Sequence, residues 1–272
     1  MGGIEKKKVW AGMIVVPPIL LLILFGPPPV LPLMVLLATF FGLREFYKLA
    51  LPRSNRIEQV TGIALGILLS LLVSFGDGRW IPPFFAMLLL VLSVLFMVTS
   101  QDLSRAISNI GMSFFGIFYI GFLLSHVSLI RNLPDGKQWA LFLIVAIWMG
   151  DISAFVSGSF LGRHKLYPKI SPKKTWEGLL GAVLGAVLVA LFFAWTSLLR
   201  LGTGQCILLG FSLGILGQVG DFIESMIKRS AQVKDSGALI PGHGGMLDRL
   251  DSFLFSAPFL HYALLYLLRE AP

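Results

Sequence analysis

The residues from Asp221 to Ser252 contain the side chains of this sequence that are best suited to chemistry. Carboxylates, basic side chains, a histidine and several glycines are concentrated here, in a chain that is otherwise strongly apolar. Carboxylate oxygens are the ligands that hard divalent cations prefer, whereas basic side chains and free backbone N–H groups bind phosphate. The stretch therefore predicts a site for a metal ion and a polyanion. Its ionisable residues are Asp221, Glu224, Lys228, Arg229, Lys234, Asp235, His243, Asp248, Arg249 and Asp251.

Asp248 and Asp251 lie three residues apart, so their carboxylates face the same way at the start of a helix. This pair suits a divalent cation with oxygen ligands, and it equally suits the capping of a helix N-terminus. The preceding residues 242–245 read Gly-His-Gly-Gly. Such a turn either directs backbone N–H groups at an anion or is a flexible connector, and His243 is expected to donate a hydrogen bond rather than act as a base.

The composition places these residues in a polytopic membrane protein. The 272 residues are 56% hydrophobic and 13% charged, with a mean hydropathy of +0.84, whereas soluble proteins carry about 25% charged residues. Apolar runs long enough to span a bilayer recur along the chain. We predict an all-α fold with about nine transmembrane helices, at residues 9–25, 31–50, 60–75, 81–99, 108–130, 139–160, 178–199, 204–227 and 252–268.

The distribution of basic residues predicts the orientation of these helices. With a cytoplasmic N-terminus, 17 of the 22 Lys and Arg residues fall in cytoplasmic segments and five fall outside, as the positive-inside rule requires. An odd number of spans then places the C-terminus outside. The net charge of +8 reflects this topology and contact with anionic lipid, so we expect no nucleic-acid partner. The single Cys206 excludes a disulfide scaffold and a cysteine metal site.

The two halves of the chain differ in polarity. Residues 1–138 form about five apolar helices with short loops, which predicts a transmembrane scaffold. Residues 139–272 form about four helices that contain carboxylates and are joined by basic loops, which predicts the catalytic region.

The segment 204–227 has one polar face that leads into the charged stretch. Gly210, Gly214, Gly217, Asp221 and Glu224 follow at spacings of three and four, so a helix places them on one side. Small residues there allow a second helix to approach closely, either within one subunit or across a homodimer. Asp221 falls in the cytoplasmic third of the membrane, where a carboxylate is either functional or the structural partner of a Lys or Arg.

The basic loop before residue 178 is a second candidate for phosphate binding. Ser171 is a plausible helix N-cap with Pro172 at the first helical position. The helix N-terminus with Lys173 and Lys174 then faces the cytoplasm as a phosphate-binding end, although positive-inside topology alone also explains these lysines. Asp151 lies on the cytoplasmic side of its helix, where it either lines the same cavity as Asp221 or forms a structural pair.

These motifs resemble the signature of the phosphatidate cytidylyltransferases, also called CDP-diacylglycerol synthases. The spacing matches over about 28 residues, and a second block, from Ser171 through Lys173, Lys174 and Trp176 to Gly178, resembles another recurrent motif of that family. Asp151, Ala154, Gly158 and Gly162 extend the resemblance upstream, whereas residues 1–130 carry little of it. The matching positions of the signature are 225–229, 234–235, 243–245 and 248–252.

The resemblance implies that CTP and phosphatidate react to give CDP-diacylglycerol and pyrophosphate. It implies Mg²⁺, with room for a second cation, held by Asp221 and Asp248, with Asp251 as a ligand or a supporting residue and Asp151 as a further candidate. The phosphates of CTP are then expected to bind to Lys228, Arg229, Lys234, Arg249, His243, Gly244 and Gly245. Ser171, Lys173 and Lys174 are expected to bind those phosphates or the lipid head group. The enzyme would be a multi-pass protein of the cell (inner) membrane, with its active site toward the cytoplasm.

Two other functions also fit the sequence. A cation or lipid transporter would place carboxylates such as Asp151 and Asp221 in the membrane, but it would show polar residues through both leaflets. A related membrane cytidylyltransferase or kinase would act on another lipid phosphate or alcohol. The acyl-chain preference is not encoded in any motif that we identify.

Overall fold

The computed structural model describes residues 17–100, 102–196, 198–199, 201–237 and 244–267, and this part of the chain is almost entirely helical. Residues 17–25 form helix α1. The helices that follow are α2 (Val30–Ala50), α3 (Arg56–Phe75), α4 (Ile81–Thr99), α5 (Leu103–Gly116), α6 (Leu123–Arg131), α7 (Gly136–Phe160), α8 (Trp176–Trp195), α9 (Thr203–Ser230) and α10 (Leu247–Leu267). A 3₁₀ turn (Gly78–Trp80) precedes α4, and a π-helical segment (Ile117–Phe122) joins α5 to α6.

Eight helical spans in the described residues are long and apolar enough to cross a membrane, with α5 and α6 counting as one span from Leu103 to Arg131. They correspond to eight of the nine spans predicted from the sequence. The other predicted span, 9–25, lies largely outside the described residues, and its described part is the helix α1. The prediction of an all-α, polytopic membrane protein is confirmed.

The two halves of the chain share one apolar core. A continuous buried cluster contains side chains from both halves, so the predicted scaffold is packed directly on the helices that carry the charged residues. α8 packs between α7 and α9, and α10 packs on α9, α6 and α2. The division at residue 138 stays a prediction. Representative core residues are Leu43 in α2, Val127 in α6, Leu143 in α7, Ala186 in α8, Leu213 in α9 and Leu254 in α10.

The glycine face of α9 is in close contact with two helices. A Cβ atom at Gly214 would lie 2.7 Å from the Cα atom of Val183 in α8. A Cβ atom at Gly220 would overlap the carbonyl oxygen of Asp251 in α10. Only glycine permits this approach of backbones, as is common between membrane helices. The glycines therefore bring the carboxylate-bearing faces of α9 and α10 together within one subunit.

A short β-hairpin connects α7 to α8 and corrects one prediction. Strand β1 (Lys165–Tyr167) pairs antiparallel with β2 (Ser171–Thr175). Ser171 is thus a strand residue, and the prediction that it caps the next helix is wrong. The cap is Thr175, whose hydroxyl accepts a hydrogen bond from the N–H of Gly178 at 3.1 Å. The N–H of Trp176 donates to the carbonyl of His164 at 3.0 Å, so pairing with the first strand keeps 171–175 extended and delays the helix.

The ends of several helices meet at one face of the bundle. α7 ends and α8 begins at the hairpin, while α9 ends and α10 begins at the segment that follows Ser230. Successive spanning helices alternate in direction, so these four ends lie on the same side of the membrane. The residues predicted to do chemistry are carried by these ends.

Candidate active site

Three carboxylates from two helices form the centre of the site. Asp221 and Glu224 lie one turn apart on α9, and Asp251 faces them from α10. Each offers an oxygen, and the three oxygens lie within 4.8 Å of one another. Glu224 is fully buried and Asp251 is 9% exposed. The close approach at Gly220 positions Asp251 against α9, which explains how two helices supply one cluster.

Two lysines neutralise part of this charge. The Nζ atom of Lys174, from β2, lies 2.7 Å from Oδ2 of Asp221 and 4.3 Å from the ring centre of Phe222. The Nζ atom of Lys228 lies 2.5 Å from Oε2 of Glu224 and 2.6 Å from Oδ1 of Asp248. Among the described residues, the three clustered carboxylates and Asp248 therefore face two ammonium groups. Buried like charges are costly without a counter-ion.

The donor set fits a hard divalent cation. Oε1 of Glu224 is buried and has no hydrogen-bond partner among the described residues, whereas Oε2 is in contact with the ammonium of Lys228. A buried carboxylate requires a charged partner. Lys228 supplies a charged partner for Oε2 of Glu224 only. A cation bound by several carboxylate oxygens would satisfy Asp221, Glu224 and Asp251 together.

Asp248 has a different environment from the three clustered carboxylates. Its Oδ2 atom accepts hydrogen bonds from the N–H of Gly245 at 2.8 Å and from the N–H of Ser236 at 3.1 Å, while Lys228 contacts its Oδ1 atom. It lies in the first turn of α10, where its side chain turns back onto the loop. In the described part of the chain, the three oxygens that lie within 4.8 Å of one another belong to Asp221, Glu224 and Asp251, and Asp248 adjoins them by sharing Lys228 with Glu224. The role of Asp248 as a cation ligand stays a prediction.

The described part of the glycine turn, Gly244 and Gly245, packs against the carboxylate of Asp248. The N–H of Gly245 points at that carboxylate. Gly244 has a φ of +80°, and a Cβ atom there would lie 2.8 Å from Oδ2 of Asp248. The predicted role of this turn in anion binding stays a prediction, and His243 lies outside the described residues.

The side chains predicted to bind phosphate have different environments. Arg229 donates from Nε to the carbonyl of Ile170 and from Nη1 to the carbonyl of Val233, both at 3.2 Å. It therefore ties the hairpin to the loop after α9. Lys173, Lys234 and Arg249 are exposed, and Lys173 also lines the cleft beside Asp221.

A cleft of about 410 Å³ adjoins the carboxylates between α7, α8, α9 and the hairpin. Asp151 and Asp221 are acidic wall residues, and Nε2 of Gln218 lies 3.4 Å from Oδ1 of Asp151. Lysines 165, 173 and 174 line the same cleft, with Phe155 among its apolar residues. Basic, acidic and apolar surfaces therefore meet in one space. A larger cleft of about 850 Å³ between the ends of α2 and α5 contains none of these residues.

The sequence reasoning missed Glu224 as a member of the cluster. The signal was present, because Glu224 follows Asp221 by three residues on the same helical face. It also missed Lys165 and Gln218 as residues of the cleft. Lys165 belongs to no motif in the sequence, and nothing in the sequence indicates that a hairpin would bring it to the cleft.

Comparison with known proteins identifies the family of this chain. Residues 6–267 match the model of the Cytidylyltransferase family. A phosphatidate cytidylyltransferase of Synechocystis sp. is 34% identical over 261 residues, covering 86% of this chain and 88% of the relative. One from Staphylococcus saprophyticus is 31% identical over 238 residues, covering 87% and 90%. One from Bacillus subtilis is 41% identical over 157 residues, covering 57% and 58%. The chain belongs to the cytidylyltransferase family.

Proposed function

We propose that this protein transfers the cytidylyl group of CTP to phosphatidate and releases pyrophosphate. The observation that carries the proposal is the cluster of Asp221, Glu224 and Asp251 beside a lysine-lined cleft at one face of a membrane bundle. The similarity to phosphatidate cytidylyltransferases over most of the chain supports the choice of substrates.

The cleft suits a reaction between a soluble polyanion and a lipid phosphate. CTP arrives from water, whereas phosphatidate presents its head group at the membrane surface. Lys165, Lys173 and Lys174 line the cleft as phosphate-binding groups. Lys234, in the loop after α9, and Arg249, in the first turn of α10, are exposed and are further candidates for this role. Apolar residues such as Phe155, which is 72% exposed, offer a surface for acyl chains.

The proposed chemistry is a direct displacement at the α-phosphorus of CTP. A phosphate oxygen of phosphatidate forms the new P–O bond, and the bond from the α-phosphorus to the bridging oxygen breaks, so that pyrophosphate leaves with the electron pair. The attacking phosphate is already anionic near pH 7, so neither a general base nor a covalent enzyme intermediate is needed. Magnesium, when bound, neutralises the triphosphate and the charge that develops on the leaving group.

The chain's own residues orient this reaction. Asp221, Glu224 and Asp251 hold the cation, and Lys174 fixes the Asp221 carboxylate from the hairpin. Lys228 links Glu224 to Asp248, which keeps the end of α9 in register with the start of α10. Asp151 faces the same cleft and is a further cation-binding candidate.

The active site is proposed to face the cytoplasm of a bacterial cell, with the chain spanning the inner membrane. The exposed residues Lys169, in the hairpin turn, and Lys137, near the start of α7, then lie on opposite sides. In intact cells, a membrane-impermeant maleimide should label Lys137→Cys but not Lys169→Cys, and in inverted vesicles the pattern should reverse. The native Cys206 is buried and should remain silent. Labelling of Lys169→Cys in intact cells would overturn the orientation.

Substrate competition tests the proposed reaction. Purified protein in mixed micelles with Mg²⁺ and CTP should convert phosphatidate to its CDP-lipid, and unlabelled diacylglycerol or isoprenoid phosphate should not compete at equal mole fraction. A faster reaction with an isoprenoid phosphate or diacylglycerol would instead assign the protein to a different lipid. Movement of lipid or cations into liposomes without CTP, in the absence of CDP-lipid formation, would favour a transporter.

A further inference from the structure

A buried carboxylate in the predicted scaffold contacts the loop of the active site. Glu45 lies near the end of α2 and is 8% exposed. Its Oε2 atom accepts a hydrogen bond from the N–H of Leu247 at 2.8 Å and lies 3.0 Å from the hydroxyl of Ser236. These partners are 202 and 191 residues away in sequence. Glu45 therefore connects the N-terminal half of the chain to both ends of the loop before α10.

The contacts of Glu45 lead directly to Asp248. The hydroxyl of Ser236 stands between two carboxylates, 3.0 Å from Oε2 of Glu45 and 2.9 Å from Oδ2 of Asp248. The N–H of Leu247 belongs to the first turn of α10, whose N–H groups have no partner within the helix. Glu45 thus acts as a cap supplied from another helix, and its negative charge is favourable at that end.

Two glycines leave the space that the Glu45 side chain occupies. A Cβ atom at Gly237 would lie 2.5 Å from Oε1 and 2.8 Å from Cδ of Glu45. A Cβ atom at Gly245 would overlap Oε2 of Glu45 and the hydroxyl of Ser236. Gly237 and Gly245 therefore pack directly against the Glu45 carboxylate. Gly245 has a packing reason for being glycine, apart from any contact with an anion.

We propose that Glu45 is a positioning residue for the cytidylyl transfer. It does not line the cleft beside Asp221, so it acts through the loop and the first turn of α10. By holding Ser236 and Leu247 it fixes Asp248, which in turn orients Lys228 against Glu224. The proposal rests on the proposed function, because the reaction that Glu45 serves is the one assigned to the carboxylate cluster.

Hydrogen exchange and turnover together test this role. In Glu45→Ala, peptides from 231–237 and 244–250 should exchange faster, and kcat should fall by about 10–100-fold, the usual cost of losing a group that orients metal-site residues. Glu45→Gln keeps a carbonyl oxygen that can accept both hydrogen bonds and should recover most of the activity. If Glu45 only stabilised the fold, the Glu45→Ala protein that is folded at the assay temperature would keep the kcat of the wild type.

Glu58 provides the matched control. It is a buried glutamate of α3, 3% exposed, that accepts hydrogen bonds from the N–H of Asn55 at 2.9 Å and the hydroxyl of Thr99 at 2.7 Å. Glu58→Ala should lower the melting temperature yet leave kcat and the exchange of 231–250 as in the wild type. An equal loss of kcat in this variant would overturn the specific role of Glu45.

A double-mutant cycle covers the case in which Glu45→Ala folds poorly. Gly237→Ala should reduce kcat in the wild type because its Cβ displaces the Glu45 carboxylate, and it should add little in the Glu45→Ala background. Additive losses, or wild-type kcat and exchange in Glu45→Ala, would refute the proposal. If the wild-type protein forms no CDP-lipid, the proposed function fails instead, whereas the exchange data still report on the contact of Glu45 with the loop.

Discussion

Replacing Asp221 by asparagine should reduce the rate of CDP-lipid formation by more than about 100-fold, since loss of even an outer partner of a metal site costs about 10–100-fold. Asparagine keeps the shape of the side chain and an oxygen that can accept from Lys174, which now lies 2.7 Å from Oδ2. It removes the charge on which cation binding depends. The protein should remain folded, and excess Mg²⁺ should restore only part of the rate. Initial rates over a Mg²⁺ titration measure the effect.

Asp102→Asn is the matched control for this substitution. Asp102 is an exposed N-cap of α5 whose carboxylate accepts from the N–H of Ser104 at 3.0 Å, and asparagine caps helices equally well. Its rate and Mg²⁺ dependence should equal those of the wild type. Full activity in Asp221→Asn would remove Asp221 from the cation site.

Glu224→Gln should reduce turnover as strongly as Asp221→Asn and raise the Mg²⁺ concentration needed for half-maximal rate. Glu224 is fully buried, and its oxygens face Asp221 and Asp251 with only Lys228 as an ionic partner in the described part of the chain. Glutamine conserves the volume but not the charge. Lys228 would keep its contact with Asp248, 2.6 Å away, so the effect should arise mainly from cation binding.

Comparison with Asp248→Asn separates the two assignments of the cation ligands. If the cluster binds the cation, Asp248→Asn should lower kcat through the loop but shift the Mg²⁺ requirement far less than Glu224→Gln. The opposite ranking would restore Asp248 as a ligand and remove Glu224. Glu58 is a buried glutamate of α3 outside the cluster. Glu58→Gln should therefore leave the Mg²⁺ requirement unchanged.

The sequence is sufficient to predict the membrane architecture and the stretch that contains the carboxylate cluster. Long apolar runs in a chain with few charges have essentially one stable form in a bilayer, which is why the spans were predictable. The glycine face that leads to Asp221 indicates a close helix contact, and the structure has it at Gly210 and Gly214, which pack against α8. The motif spacing indicated the family, which the comparisons confirm.

Features that depend on contacts between distant segments were not predictable. Ser171 matched the local pattern of a helix cap, but pairing with β1 keeps it in a strand. Asp248 and Asp251 lie three residues apart on one helical face, yet the N–H groups of Ser236 and Gly245 orient Asp248 toward the loop. Glu45 has no local sequence signal for its contacts, because its partners lie about two hundred residues later.

The most direct test of the central claim follows the label of CTP into lipid. Purified protein reconstituted in phosphatidate-containing nanodiscs with Mg²⁺ and CTP labelled at the α-phosphate should yield labelled CDP-diacylglycerol and an equal amount of unlabelled pyrophosphate, and chelation of the metal should stop the reaction. Absence of labelled lipid with folded protein, or transfer of label only when CTP carries it at the γ-phosphate, would contradict the account.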